Sequence, residues 1–240
     1  MKSTGAELVY FTTLAKDQEI SSEMKYFNKL IRTFKGVVNF SVFRMDPQSD
    51  DFSKLAKKFK VGTLNVGKPK LRYYPNRAVG DIKDSRSYEL FFNKDDKEFG
   101  NIEGEIIENY EHDVTDIMGS SFNQFLVRFA KDEQKNVVYY MYRDDQEITL
   151  DYKAVSESPI FAEDTVFLAM QNPDTKIFQG LDVRMLPIIG VVKKLKPDFE
   201  EGNIEQQHIS ASLKFDALLP QVAEHSGKRE DYLEWKHGNS

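Results

Sequence analysis

The sequence predicts an α/β protein made of two similar domains, each with a central mixed β-sheet flanked by helices. The chain has 240 residues, which suits two domains of about 110–120 residues each. Apolar residues follow strand-like runs and helix-like spacings in turn along the chain. The same order of elements then occurs twice, although the two halves share little sequence. Together, these observations favour a tandem of one fold.

The first domain is predicted to span residues 6–118. A buried strand at 7–14 leads to a helix at 20–35, in which apolar residues recur three and four apart and which Gly36 ends. The elements predicted after it are a strand at 37–45, a helix at 51–60, strands at 69–76 and 87–92, and a helix at 101–117. A strand–helix–strand order predicts a parallel pair, and the last two strands add an antiparallel edge.

The second domain is predicted to span residues 119–226. Its predicted elements are a helix at 121–131, a strand at 136–142, a helix at 148–161, a strand at 166–170, a short element at 176–183, a strand at 186–192, an edge strand within 202–211 and a helix at 215–223. Residues 227–240 are polar and are predicted to form a C-terminal tail. The order of elements therefore matches that of the first domain.

Composition excludes several partners and chemistries. The formal net charge of −6 argues against a nucleic-acid partner, because phosphate binding needs a basic surface. No apolar run approaches the ~20 residues of a membrane-spanning helix, and the first residues carry no apolar signal segment. The chain contains no cysteine, which removes disulfides, zinc–thiolate sites and thiol nucleophiles.

Metal sites and cofactors are not predicted. The four histidines, His112, His208, His225 and His237, lack metal-ligand spacing. Adjacent acidic residues such as Asp144 and Asp145 lack the pattern of a calcium loop and are typical of turns and helix caps. The triplet Asn39-Phe40-Ser41 matches a glycosylation acceptor but lies in a predicted buried strand, so we expect it to be unmodified. We therefore expect no catalytic residues, no metal and no cofactor.

Three segments resemble the thioredoxin superfamily, and within it the non-catalytic tandem modules of the protein disulfide isomerase group. The first is Lys57-Lys58-Phe59-Lys60-Val61 with Pro69-Lys70-Leu71-Arg72-Tyr73-Tyr74-Pro75-Asn76 and Gly80. The others are Val183-Arg184-Met185-Leu186-Pro187-Ile188-Ile189 and Phe215-Asp216-Ala217-Leu218-Leu219. The resemblance covers roughly residues 6–226 and implies two thioredoxin-like folds.

The chain departs from this family at the redox motif. The family carries Cys-x-x-Cys at the start of the helix after the central strand, where the helix N-terminus lowers the thiol pKa. By element order, those positions are occupied here by Ala15, Lys16, Asp17 and Gln18, and by Arg143, Asp144, Asp145 and Gln146. No thiolate is supplied, so we expect no oxidoreductase, isomerase or peroxidase activity.

Two prolines occupy the position at which the family has a cis-proline beside its peptide-binding groove. The resemblance implies cis bonds at Lys68–Pro69 and Leu186–Pro187 and a groove in which an extended partner forms strand-like hydrogen bonds. The alternative is that both prolines are inherited scaffold without a groove function.

The function expected from the resemblance is non-catalytic binding of protein or unfolded polypeptide, as in a chaperone. The alternative is a structural adaptor that forms part of a larger polypeptide or assembly, for example a J-domain co-chaperone with thioredoxin-like domains. The resemblance also implies the endoplasmic reticulum lumen, with the mitochondrion and the cytoplasm as alternatives.

Overall fold

The computed structural model describes residues 5–13, 21–61, 68–75, 87–92, 101–173, 183–195 and 206–238. The chain divides into two compact units, Met1–Glu111 and His112–Ser240, each with its own sheet. The sequence prediction places a single helix at 101–117 and divides the chain after it. The structure ends that helix at Glu108 and forms a strand at Thr115–Met118, which pairs within the second sheet.

The first unit contains a four-stranded mixed sheet, as predicted. Its elements are β1 (Glu7–Thr12), α1 (Ser22–Thr33), β2 (Asn39–Arg44), α2 (Phe52–Lys58), β3 (Lys70–Tyr74), β4 (Tyr88–Leu90) and α3 (Ile102–Glu108). The strand order is β2-β1-β3-β4, with β2 parallel to β1 and the other two neighbouring pairs antiparallel.

Helix α1 begins and ends where the sequence indicates. The Ser21 side chain accepts a hydrogen bond from the Met24 backbone N–H at 3.1 Å, which caps the first turn. The helix buries Phe27, whose ring lies 5.1 Å from that of Tyr10 on the sheet. Gly36 follows with φ 82°, a left-handed conformation that glycine adopts without steric cost, and so the chain turns towards β2.

Strand β2 differs from its prediction as a buried strand. It lies at the end of the described sheet, and each of its residues is exposed or half-buried. The two central strands of the sheet, β1 and β3, are almost wholly buried. The strand's position at the edge is therefore the reason that its apolar side chains reach solvent.

The second unit contains a five-stranded mixed sheet. Its elements are β5 (Thr115–Met118), α4 (Phe122–Leu126), β6 (Asn136–Tyr142), α5 (Leu150–Ser156), β7 (Thr165–Gln171), β8 (Ile188–Val192), β9 (Gln206–Ser210), α6 (Phe215–His225) and α7 (Arg229–Gly238). The order is β5-β7-β6-β8-β9, in which β5, β7 and β6 are parallel and β8 and β9 are antiparallel to their neighbours.

The predicted polar tail is a helix. Helix α7 follows Lys228, whose ammonium nitrogen lies 2.8 Å from a carboxylate oxygen of Asp164 and 3.0 Å from one of Asp231. The ion pair with Asp164 connects the start of the helix to the residue before β7, and that with Asp231 lies within the first turn. Sequence periodicity does not reveal the contact with Asp164. None of the described helices has the length and apolar character needed to cross a membrane.

Buried tyrosines connect the helices to the sheets. In the second unit, Tyr152 of α5 is fully buried, and its hydroxyl lies 2.8 Å from the carbonyl oxygen of Leu168 and 3.1 Å from that of Val138. Burial raises the pKa of Tyr152 and Tyr139, and in the first unit burial, assisted by Tyr110 and Glu111, raises that of Tyr73. These side chains are compatible with the fold in their neutral form.

Raising the pH above about 10 is therefore expected to destabilise the protein. An unfolded tyrosine ionises near pH 10, so the stabilisation from Tyr73, Tyr139 and Tyr152 is complete below about that pH and is lost as the pH rises towards the folded-state pKa. Urea unfolding at increasing pH should show the free energy of unfolding fall by up to about 1.4 kcal/mol per pH unit for each such tyrosine.

The variant Tyr73→Phe provides the control. The Tyr73 hydroxyl is buried and has no hydrogen-bond partner in the described structure, so its removal breaks no hydrogen bond. We expect the variant to be at least as stable as the parent at neutral pH and to lose stability less steeply above pH about 10. Equal slopes for the two proteins would contradict the role given to Tyr73.

Candidate functional site

The carboxyl ends of the parallel strands in the second sheet meet the start of β8 along one edge. Met118, Gln171 and Tyr142 are register neighbours at the ends of β5, β7 and β6. Met141 pairs with Ile188, so Pro187 lies beside the end of β6. This edge, which we call the carboxyl edge, brings together the loop after β6, the residue after β7 and the segment before β8. In the second domain, the sequence predicts two features at this edge: residues 143–146, which replace the family's Cys-x-x-Cys and which we call the redox-type position, and the groove beside Pro187.

The two predicted prolines occupy equivalent positions in their sheets. Pro69 directly precedes Lys70, which pairs with Phe11, and Pro187 directly precedes the residue that pairs with Met141. The expected cis bond is present at Leu186–Pro187. It is not found at Lys68–Pro69, although both of those residues are described. The two positions thus share their place in the sheet but differ in backbone geometry.

The loop at 143–146 is held by its own side chains. The Arg143 Nε atom lies 3.2 Å from a carboxylate oxygen of Asp145. The Asp144 carboxylate accepts a hydrogen bond from the side-chain amide of Asn172, directly after β7. The residues at the redox-type position of the second domain therefore connect strand ends to one another.

Gln146 links this loop to the segment before β8. Its Oε1 atom accepts a hydrogen bond from the Arg143 backbone N–H at 3.0 Å, and its Nε2 atom donates one to the Leu186 carbonyl at 3.1 Å. Pro187 has no N–H group to offer a strand-like partner, so the Leu186 carbonyl is an acceptor that such a partner would use beside it. Gln146 competes for that carbonyl by donating to it.

Two methionines at the carboxyl edge are exposed. Met118 at the end of β5 is 77% exposed, and Met185 directly before Leu186 is 51% exposed. Sequence reasoning assigns neither a role, because the prediction places Met118 at the domain boundary. The signal for Met185 is present, since it adjoins the predicted groove. Leu186 itself is buried and packs in the core of the second unit.

The corresponding position of the first domain, Ala15, Lys16, Asp17 and Gln18, lies outside the described residues. Lys68 is exposed and Pro69 half-buried. The predicted groove at Lys68 and Pro69 stays a prediction.

The histidines have local roles or lie apart. The Nδ1 atom of His112 accepts a hydrogen bond from the Val114 backbone N–H at 3.3 Å. Burial lowers the pKa of His112, assisted by Lys153, and burial also lowers that of His208. Within the described ranges, no three His, Asp or Glu side chains form a group suited to a metal ion.

The strand order and directions of the second sheet, with a cis-proline before β8 and a closing helix α6, are those of a thioredoxin-like fold. The first sheet repeats the same arrangement over four strands. The chain thus consists of two thioredoxin-like domains in tandem, and no cysteine occurs in either. The predicted fold class is confirmed.

Comparison with known proteins agrees with this fold. No protein-family model and no curated protein matches the chain. Among solved structures, a crystal structure of ERdj5 (form II) is 13% identical and covers 93% of this chain with a TM-score of 0.50. The chain spans 27% of the length of that ERdj5 chain.

Two further structures are similar at a lower score. The zinc-bound form of human ERp44 is 14% identical over 92% of this chain and 53% of its own, with a TM-score of 0.35. Thioredoxin f from spinach chloroplast is 18% identical over 47% of this chain and 93% of its own, with a TM-score of 0.34.

Proposed function

We propose that the chain binds extended or unfolded polypeptide, without catalysis, at the carboxyl edge of its second domain. The observation that carries this proposal is the exposure of two methionines on the carboxyl edge: Met185, two residues before Pro187, and Met118, at the end of β5 on the far side of β7 and β6. Methionine is flexible and polarisable, so it packs against apolar side chains of different shapes. Such a surface suits a binder of many sequences rather than of one.

The absence of thiols supports a binding role at this edge. A thioredoxin-like fold acts on disulfides through a reactive thiolate, and the chain contains no cysteine to supply one. In the second domain, the residues at that position form an ion pair and hydrogen bonds among themselves and with neighbouring strand ends. They are thereby engaged in holding the loop.

Charge favours basic clients. Asp144 and Asp145 are exposed at this edge, and Asp116 of β5 lies close enough to Tyr142 to raise its pKa further, after the larger effect of burial. These three acids outnumber the two cations beside them, Arg143 and Arg184. Polypeptides with basic residues beside apolar ones should therefore bind more tightly than acidic ones, and added salt should reduce the difference.

The test is titration of a fluorescently labelled, carboxymethylated protein, which stays unfolded and has no free thiol. We expect saturable binding by anisotropy and about tenfold weaker binding for Met185→Ser, equivalent to about 1.4 kcal/mol. The matched control is Leu233→Ser on α7, another exposed apolar residue, at 42%. No binding by the parent, or equal loss in both variants, would contradict the proposal. A fixed adaptor would leave this client unbound.

The hydrogen bond from Gln146 leads to a separate prediction. Gln146→Met keeps a side chain of similar length but cannot donate to the Leu186 carbonyl. That carbonyl becomes available to a strand-like partner, so we expect client affinity to rise by about threefold to tenfold, the worth of one net hydrogen bond. The measurement is the same anisotropy titration, with Gln146→Ala as a second variant. Unchanged or weaker binding in both variants would count against competition at Leu186.

A further inference from the structure

The two sheets differ at one edge. In the second domain, β5 lies beside β7 and runs parallel to it. In the first domain, β2 takes the place of β7, and no strand in the described part of the chain pairs with its outer side. The register of the strands gives this equivalence. Phe11 pairs with the residue after Pro69, and Met141 pairs with the residue after Pro187, so Phe11 and Met141 are equivalent. Their partners in the parallel strands, Phe43 of β2 and Met170 of β7, are therefore equivalent as well.

The N–H and C=O groups on the outer side of β2 correspond to the groups of β7 that face β5. The backbone N–H group of Asn39 donates to the carbonyl of Ala6, directly before β1, at 2.8 Å, and that of Met45, directly after β2, donates to the carbonyl of Thr12 at 2.9 Å. Because successive residues of a strand alternate, the N–H and C=O groups of Phe40 and Val42 point away from β1. By register, these two residues match Phe167 and Ala169 of β7.

Side-chain burial shows the same difference. Ala169, which pairs with Asp116 of β5, is 1% exposed, whereas its equivalent Val42 is 38% exposed. Phe167, packed against Tyr152 and Phe161, is 3% exposed, whereas its equivalent Phe40 is half-buried. An exposed strand edge with apolar side chains and unused main-chain groups is a template for pairing with another strand.

We infer that the outer side of β2 accepts an extended segment of a client polypeptide as a fifth, parallel strand. This inference rests on the proposed polypeptide-binding function and adds a second contact in the first domain. Strand β5 shows what such a segment requires, because only Ile117 of its four residues is buried. Main-chain hydrogen bonds then supply most of the affinity, and one apolar side chain supplies the rest.

The client's apolar side chain is expected opposite Phe43. Ile117 pairs with Met170, and the equivalent of Met170 is Phe43. The half-buried Phe43 ring lies 4.7 Å from Phe59 and 5.8 Å from Phe11. A client's apolar residue would extend this aromatic cluster. A second copy of the chain fits less well, because a two-fold axis pairs identical edges antiparallel, whereas β5 pairs parallel.

The variant Val42→Pro tests the inference. Proline removes the outward N–H of residue 42 and leaves the bonds of Ser41 and Phe43 to β1, so an edge strand tolerates it. We expect retained folding by circular dichroism and about fivefold weaker binding of the carboxymethylated client. Val42→Lys, which places a charge at the edge, is a second variant with the same expected result. Hydrogen exchange of the parent should show Phe40 and Val42 amides slowed at least about tenfold by client.

The outcomes separate the two proposals. If Met185→Ser weakens binding while both Val42 variants bind as the parent does, the carboxyl edge is the site and the β2 inference is wrong. If the client does not bind at all, both proposals fail. A dimer in sedimentation experiments that Val42→Pro dissociates would assign this edge to a second copy and overturn the inference as stated.

Discussion

Replacing Gly190 by alanine is expected to destabilise the second domain by about 3 kcal/mol, the upper range for overpacking a core. Gly190 lies in β8 between Tyr139 of β6 and His208 of β9. A Cβ atom on Gly190 would lie 2.0 Å from Cζ and 2.2 Å from the hydroxyl oxygen of Tyr139. Non-bonded carbon atoms do not approach this closely, so one of the two residues must move.

Tyr139 is not free to move. Its side chain is fully buried, its hydroxyl donates to Oε1 of Gln206 at 2.6 Å, and its ring packs edge-on against Phe122 at 4.9 Å. The added methyl group therefore displaces strands as well as a side chain. Urea unfolding should show the loss of stability, and hydrogen exchange should locate it in β6, β8 and β9.

A double-mutant cycle checks the cause. Tyr139→Leu removes the ring atoms that the new methyl group would strike, so Gly190→Ala should cost much less in that background. Tyr139→Phe keeps Cζ in place and should not relieve the contact. If Gly190→Ala has parental stability, or if it costs the same in the Tyr139→Leu and Tyr139→Phe backgrounds, the steric explanation is wrong.

Replacing Arg72 by methionine is expected to destabilise the first domain by about 3 kcal/mol, as for other broken buried charge networks. Arg72 lies in β3 and is 9% exposed. Its Nε atom donates to the Ser87 hydroxyl at 3.0 Å, and its NH1 group donates to the Lys60 carbonyl. That carbonyl lies just after α2, where a positive charge also interacts favourably with the helix dipole.

Methionine fills similar space but leaves these groups without their donor. Glu89 also loses a cation, because its Oε2 atom lies 3.9 Å from the Arg72 guanidinium. Its Oε1 atom keeps the ion pair with Lys70 at 2.9 Å. Arg72→Lys keeps the charge but cannot make two diverging hydrogen bonds, so an intermediate loss is expected. The control is Lys54→Met, which breaks an exposed ion pair to Asp51 and should change stability by less than about 0.5 kcal/mol. Equal effects of Arg72→Met and Lys54→Met in urea unfolding would refute the buried network.

Local patterns predict most of the elements. The apolar spacing of α1, the Gly36 turn and the proline before β8 are each encoded within about ten residues, so they are visible without a structure. Apolar spacing predicts the wrong helix end at 101–117, because apolar residues three and four apart continue past Glu108, where the helix ends. There, Val114, Thr115 and Ile117 favour a strand, and pairing of β5 with β7 decides the outcome.

The candidate site is predicted only in outline. The cis bond at Leu186–Pro187 is expected from the sequence, whereas the exposure of Met118 depends on β5 being a strand. The contact between Gln146 and Leu186 joins residues 40 positions apart. No short-range pattern carries that information.

Composition and periodicity alone establish that this chain contains no cysteine and that a strand–helix pattern is repeated. Both are properties of residue type and of neighbours along the chain. Which strand lies at an edge, which carbonyl is already bonded and which glycine must lack a side chain depend on packing between distant segments. Those contacts exist only once the sheets have formed, because the hydrogen bonds and van der Waals contacts involved act over a few ångströms in space.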